Sequence, residues 1–68
     1  MRKTGKIKEY DGYSGVIVDA DKNTYLLLEN DVLDKDLKTG DIVTFEPEVY
    51  KTLEIIENVA RFVRKNKD

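Results

Sequence analysis

Two short stretches of strand-forming residues, separated by a turn, dominate residues 4–18 of this sequence. The first stretch, residues 5–11, alternates apolar and charged side chains, and the second, residues 15–19, carries three β-branched apolar residues. Between them Asp11 and Gly12 favour a turn, because glycine adopts positive φ readily and aspartate accepts hydrogen bonds from its own turn backbone. The pattern predicts an antiparallel hairpin.

Further strand and turn signals follow along the chain. A polar turn over residues 19–23 leads into residues 24–28, and together with the preceding run this predicts a second hairpin. Residues 42–46 predict another strand, which we expect to stop at Pro47 because proline cannot donate a hydrogen bond to a sheet.

The segment between these strands, residues 29–40, is irregular. Asn30 or Asp31 can cap a short helical turn over residues 32–33, and Leu37 is expected to be buried.

Residues 50–65 fit two local patterns. As a helix, this segment places five apolar residues on one face: Leu53, Ile56, Val59, Ala60 and Val63. As a strand, it directs Ile56, Ala60 and Phe62 to one side. The local pattern slightly favours the helix, whereas the family resemblance given below favours the strand, and we predict the strand.

The composition restricts the classes of function. The 68 residues make one domain, residues 1–68, with a basic tail over residues 64–68, and they include neither cysteine nor histidine. The chain therefore lacks disulfides, thiolate metal sites and the side chain most used for acid–base catalysis and metal binding. No segment approaches the roughly 20 apolar residues that span a bilayer, and no apolar signal segment precedes the domain. We expect a cytoplasmic protein without membrane contact.

Acidic residues offer neither a catalytic nor a metal site. Two pairs of acids stand at i, i+2 spacing: Asp34/Asp36 and Glu46/Glu48. Both pairs lie in hydrophilic surroundings, unlike the apolar settings that prepare a carboxylate for acid–base work. Asp19, Asp21 and Asn23 match the first half of a calcium loop, but Thr24 and Asn30 stand where that loop needs glycine and glutamate. We expect no enzyme activity, no cofactor and no metal.

Charge is unevenly distributed along the chain, although the net charge is only −2. Residues 1–8 hold four basic residues and no acid, and residues 61–68 hold four basic residues and one acid. Residues 9–60 hold thirteen acids and four lysines. A basic surface, which nucleic-acid binders need, can therefore form only if the two ends of the chain come together.

The order of these features resembles the bacterial-type cold-shock domain, a small member of the OB-fold class. The likeness lies mostly at core and turn positions. In the first hairpin, Gly5-Lys6-Ile7-Lys8 resembles the family's Gly-x-Val-Lys, Tyr10-Asp11 its Phe-Asn, and Gly15-Val16-Ile17 the end of its Lys-Gly-Phe-Gly-Phe-Ile. Further along, residues 25–28 stand beside its Val-Phe-Val-His, residues 37–46 beside its Leu-x-x-Gly-x-x-Val-x-Phe-Glu, and Asn58-Val59 beside its Asn-Val. The resemblance implies an all-β fold, a small five-stranded antiparallel OB-type β-barrel.

The resemblance also implies a function. Cold-shock domains bind single-stranded nucleic acid by stacking bases on outward aromatic side chains, while basic residues follow the backbone. Carried over, this gives a nucleic-acid-binding face of eight residues: Lys6, Lys8, Tyr10, Tyr13, Val16, Leu26, Leu28 and Arg61. Glu9 stands where the family has tryptophan, and Val16, Leu26 and Leu28 replace further aromatic or histidine residues. We therefore expect a non-catalytic module that binds single-stranded RNA or DNA weakly.

The replaced residues suggest an alternative function. If Tyr25 and Leu27 face the core, four apolar side chains face outward: Tyr10, Val16, Leu26 and Leu28. Either a register shift or residues 29–40 bury them, or they form a patch of the kind that monomers avoid. In the second case Val16, Leu26 and Leu28 contact a protein partner or a second copy of the chain, in an OB module that has lost nucleic-acid binding.

Overall fold

The computed structural model of the protein describes residues 2–66. Five strands form a closed barrel: β1 (Lys3–Tyr10), β2 (Ser14–Asp19), β3 (Thr24–Leu28), β4 (Ile42–Lys51) and β5 (Ile56–Lys65). A single 3-10 turn (Glu29–Asp31) follows β3, and the described residues contain no α-helix. The predicted all-β, five-stranded barrel is confirmed. No helix within residues 2–66 is long and apolar enough to cross a membrane.

The strand order around the barrel is β1-β2-β3-β5-β4, which is that of an OB-type barrel. Four of the pairings are antiparallel, whereas β3 and β5 run parallel, with Leu26 opposite Val59 and Leu27 opposite Ala60. The predicted antiparallel pairing needs this one correction. A closed ring with an odd number of strands cannot alternate direction all the way round, so one neighbouring pair has to be parallel.

The core follows from the alternation of side chains along each strand. Nine apolar residues are buried: Ile7, Ile17, Tyr25, Leu27, Leu37, Val43, Phe45, Ala60 and Val63. The rings of Tyr25 and Phe45 pack against each other with their centroids 4.8 Å apart. Burial of Leu37, in the irregular segment between β3 and β4, confirms its prediction. The helical turn lies at residues 29–31 and so precedes the predicted position at residues 32–33.

Beyond the barrel, β4 and β5 continue as a two-stranded arm, which consists of residues 49–51 and 56–58. The strand was expected to end at Pro47, and that expectation is wrong. The reason is that β1 pairs with β4 only as far as Phe45, so Pro47 lies where β4 has an open edge and can accommodate a residue without an N–H. The arm also decides between the two patterns of the last segment, since residues 56–65 form a strand.

The last described residues are part of the barrel. Arg64 and Lys65 are the last residues of β5, and the backbone N–H of Asn66 donates to the carbonyl oxygen of Ile42 at 2.9 Å. Residues 67–68 of the predicted basic tail lie outside the described residues.

Candidate functional site

A row of apolar side chains crosses the outer surface of three strands. Val16 of β2 lies opposite Leu26 of β3, which lies opposite Val59 of β5, and paired residues share one face of a sheet. All three are half-buried, and neighbouring Leu28 is 38% exposed. The predicted outward orientation of Leu26 and Leu28 is confirmed, because neither a register shift nor residues 29–40 cover them.

Leu26 and Val59 of this row, together with Leu28, form the floor of a hollow between β3 and the arm, which we call the apolar groove. Val16 lies beside the groove, opposite Leu26. The groove has a volume of about 340 Å³, and its lining consists of Leu26, Leu28, Asp31, Glu48, Tyr50, Glu57, Val59 and Arg61. Four of these residues are apolar or aromatic, and three are carboxylates. The groove therefore has an apolar floor and an acidic rim.

Arg61 is the one basic residue among the groove's lining residues, and its charge is already neutralised. Its Nε donates to Asp31 Oδ1 at 2.6 Å, and its Nη1 donates to Glu48 Oε2 at 3.2 Å. The hydrogen bond to Asp31, followed by the charges of Asp31 and Glu48, raises the pKa of the guanidinium further above its ordinary value. Arg61 was predicted to contact nucleic acid. In the structure its Nε and Nη1 groups already donate to two carboxylates, so these donors are not available to a phosphate.

A β-bulge in β1 changes the surface beside the groove. Ile7 lies opposite Ile17 and Glu9 opposite Val16, so Lys8 is the extra residue. As a result, Glu9 shares a face with Val16 and brings another carboxylate to the apolar row.

The same bulge turns Tyr10 partly towards the core, although Tyr10 still lines one hollow with Val16 and Leu26. Tyr10 lies opposite buried Gly15, packs partly against the core, and donates its hydroxyl to the carbonyl oxygen of Gly12 at 3.2 Å. Burial, followed by the charges of Glu29 and Asp11, raises the pKa of its phenol. Tyr10 was expected to face fully outward beside Val16, and the half-buried position corrects that expectation.

The remaining predicted site residues lie elsewhere. Tyr13, which is 72% exposed, projects from the turn between β1 and β2. Lys6 and Lys8 border a separate hollow with Val18 and Thr39, and neither lysine has an ion pair within residues 2–66. Tyr10, Val16 and Leu26 therefore line one hollow, Leu26, Leu28 and Arg61 line the apolar groove, and Lys6 and Lys8 border a third hollow.

A second basic surface escaped the sequence-based prediction. Arg2 Nη2 donates to the carbonyl oxygens of Thr44 and Phe62, both at 2.8 Å, and Arg64 lies opposite Thr44 in the sheet. We call Arg2, Phe62 and Arg64 the basic face. The two basic ends of the chain thus come together, as nucleic-acid binding would require. The charge distribution was the available signal, but it did not single out Phe62.

Asp19 uses its carboxylate to hold the fold. Its Oδ1 accepts the backbone N–H groups of Asp21 and Asn23, both at 2.9 Å, and its Oδ2 accepts the Tyr25 hydroxyl at 2.9 Å. Burial alone would raise the pKa of Asp19, but these hydrogen bonds outweigh it and lower the pKa to about 2. The residues with calcium-loop spacing, Asp19, Asp21 and Asn23, therefore form a hydrogen-bonded turn. Within the described residues no group of three or more His, Cys, Asp or Glu side chains could hold a metal.

No protein-family model matches the chain, and a search of curated proteins finds no match either.

Proposed function

We propose that the protein is a non-catalytic binding module whose apolar groove holds an extended polypeptide segment with apolar and basic side chains. The observation that carries this proposal is the half-buried apolar row Val16, Leu26 and Val59 on the outer surface, bordered by exposed Leu28. Water-exposed apolar surface of this kind is stabilised when an apolar partner covers it.

The chemistry of the groove favours a polypeptide over a nucleic acid. The floor residues Leu26, Leu28 and Val59 lack the π-face on which a base stacks, and Tyr50 is the one aromatic residue of the lining. The carboxylates of Asp31, Glu48 and Glu57 repel phosphate. Lysine or arginine side chains of a partner would complement the same carboxylates.

A second copy of this chain is a poorer occupant than a basic segment. A two-fold contact between two apolar grooves would bring the acidic rims of both copies together. Like charges placed opposite each other across an interface cost free energy, so the acidic rim disfavours that dimer.

The proposal can be tested with synthetic peptides and isotope-labelled protein. A peptide of alternating leucine and lysine should shift the backbone amide signals of Leu26, Leu28 and Val59. Control peptides that pair leucine with glutamate, or serine with lysine, should shift them far less. Leu28→Ser should weaken binding about tenfold through lost apolar contact, whereas Leu53→Ser, an exposed leucine in the turn of the arm, should leave binding unchanged.

Two results would overturn this proposal. One is equal binding of the serine–lysine peptide, which would mean that charge alone drives the contact. The other is a concentration-dependent dimer, detected by sedimentation, whose interface is the groove.

Weak binding of single-stranded nucleic acid is the second candidate function, and kinship with the cold-shock family goes with it. It is favoured by Lys6 and Lys8, which are exposed, border one hollow and have no carboxylate partner within residues 2–66. The proposed setting of either function is the cytoplasm. Titration with short oligothymidylate and oligouridylate at two salt concentrations should move the amide signals of both lysines, and more at low salt. Unchanged signals at millimolar oligonucleotide would contradict it.

A further inference from the structure

Phe62 has an unusual backbone conformation for an aromatic residue. Arg61 lies opposite Glu46 and Arg64 opposite Thr44, so β5 contains one extra residue in this stretch and forms a bulge. Phe62 lies in that bulge with a φ of 53°, in the left-handed region that bulky side chains rarely adopt. A bulge with glycine or asparagine at this position would avoid the strain, so the phenylalanine needs another explanation.

The bulge holds the ring of Phe62 at the surface. The side chain is 51% exposed, and the guanidinium carbon of Arg61 lies 5.4 Å from the ring centroid. Ion pairs with Asp31 and Glu48 hold the Arg61 side chain in place. Its guanidinium group therefore packs against the Phe62 ring while the ring stays half-exposed. An aromatic ring held in this way resembles a platform for stacking.

Two further arginines lie close to Phe62 along the chain and across the sheet. Arg2 donates to the carbonyl oxygen of Phe62 itself, and Arg64 lies two residues further along β5. Arg2 and Arg64 are exposed and have no ion pair within residues 2–66, whereas Glu46 in the adjacent part of β4 is half-buried. The surface around Phe62 is therefore open to an anion.

We propose that Phe62, Arg2 and Arg64 form a site for single-stranded nucleic acid, in which a base stacks on the Phe62 ring and adjacent phosphates pair with the two guanidinium groups. The site lies on the outer surface where β1, β4 and β5 meet, and it adjoins the apolar groove through Arg61, which lines the groove and contacts the Phe62 ring. It rests on the second candidate function, nucleic-acid binding, and assigns the base contact to Phe62.

Lys6 extends this basic surface along β1. Thr4, Thr44 and Arg64 lie opposite one another across β1, β4 and β5, and Lys6 follows Thr4 by two residues on the same face. A strand bound at Phe62 could therefore continue towards the lysines of the second candidate function.

Binding of a fluorescently labelled oligothymidylate of about eight nucleotides, within the site size of an OB fold, tests the proposal by anisotropy. Phe62→Gly removes the ring and relieves the strained backbone, and it should weaken binding about tenfold. Phe62→Tyr keeps a stacking ring and should stay within about twofold of the parent protein. If Phe62→Gly fails to fold in a thermal melt, Phe62→Asn replaces it, because asparagine tolerates positive φ.

Charge variants separate the phosphate contact from general attraction. Arg64→Gln should weaken binding and lower the slope of affinity against salt by about one. Lys51→Gln is the matched control, since Lys51 lies opposite Ile56 in the arm, about 20 Å along β5 from Phe62, and it should leave binding unchanged.

The outcomes distinguish this inference from the function on which it rests. If Phe62→Gly binds as the parent does while Lys6→Gln weakens binding, the inference is overturned and nucleic-acid binding stands. If the parent fails to bind at millimolar oligonucleotide, both are overturned. Inorganic polyphosphate, which has no bases, should bind the parent and Phe62→Gly equally. Stacking is contradicted if Phe62→Gly loses polyphosphate binding. It is also contradicted if Phe62→Gly keeps full oligothymidylate binding.

Discussion

The apolar groove and the basic face lie on one small barrel and share strand β5, yet they arise in opposite ways. The groove depends on regular pairing, which aligns Val16, Leu26 and Val59 across three strands. The basic face depends on a break in that regularity, because the bulge at Phe62 turns an aromatic ring to the surface beside Arg2. The chemistry of one surface follows from the alternation of side chains along regular strands, and that of the other from an irregularity in the backbone.

The two surfaces also differ in charge, which the net charge of −2 conceals. Carboxylates of Asp31, Glu48 and Glu57 border the groove, and the first two pair with Arg61, whereas Arg2 and Arg64 have no ion pair within residues 2–66. A partner selected by one surface would be repelled by the other. If both proposals hold, the two surfaces select ligands of opposite charge.

The largest expected effect tests whether regular pairing supports the groove. A Cβ on Gly15 would lie 2.1 Å from the carbonyl oxygen of Glu9, so Gly15→Ala has to separate β1 from β2. We expect a loss of about 3 kcal/mol in the free energy of unfolding, measured with urea.

The matched control for Gly15→Ala lies in the same hairpin. Gly12 has a φ of 96° and no atom within 4 Å of its added Cβ, so Gly12→Ala costs only backbone strain, about 1 kcal/mol. Equal losses for the two variants would show that close packing of β1 on β2 is not what makes Gly15 necessary.

A smaller effect concerns a carboxylate that supports the barrel and belongs to neither surface. The pKa of Asp19 is about 2 in the folded protein, below the value of about 3.9 for an unfolded aspartate. Its contribution to stability is therefore complete above pH ~4 and is lost as the pH falls towards 2. Asp19→Asn should lower stability at pH 7, by less than Gly15→Ala, and should flatten the acid side of the stability profile.

Asp21→Asn serves as the control for Asp19, because Asp21 is exposed in the same turn. Thermal melts between pH 2 and 7 compare the two variants. An acid transition that Asp19→Asn leaves unchanged would assign the transition to other carboxylates.

The bulge of the basic face predicts an effect of about 1 kcal/mol. Phe62→Ala and Phe62→Gly both lose the half-exposed ring, but only glycine relieves the backbone at a φ of 53°. We expect the glycine variant to be more stable than the alanine variant by about 1 kcal/mol in urea denaturation. Equal stability would mean that the bulge rearranges in solution, and the contrast between the two surfaces would then fail.

The smallest expected effect separates the charges of the two surfaces. Arg61→Gln removes the cation of the groove and leaves Asp31 and Glu48 unpaired, and we expect only a small loss of stability for these partly exposed ion pairs. Peptide titrations should show a leucine–lysine peptide binding more tightly to this more acidic groove. Weaker peptide binding would indicate that Arg61 itself contacts the ligand.

Much of the fold could be predicted from the sequence, because β1, β2 and β3 are short runs with clear turns between them. The direction of β5 beside β3 follows from the odd number of strands, once a closed barrel is assumed. The arm was not predicted, since the effect of Pro47 depends on where β1 stops pairing, and that is a long-range property.

The candidate sites were less predictable than the fold. Burial of Tyr25 and Leu27 implies the outward position of Leu26, and this local inference was correct. The partners of Arg61 lie far away in sequence, so its neutralisation had no local signal. The bulge at Phe62 had none either, because phenylalanine is among the residues least expected at positive φ.

Closure of the barrel depends on the strand that is synthesised last. The ribosome delivers β5 after the other four strands, yet β5 is the strand that joins β3 to β4. Until residues 56–65 emerge, both of those strands present open edges, which are templates for pairing with other chains. Such long-range closure is also slow compared with the formation of a local hairpin. The interval before β5 arrives is therefore when a growing chain depends most on chaperones, and a premature stop within β5 would leave a sheet with two permanent edges.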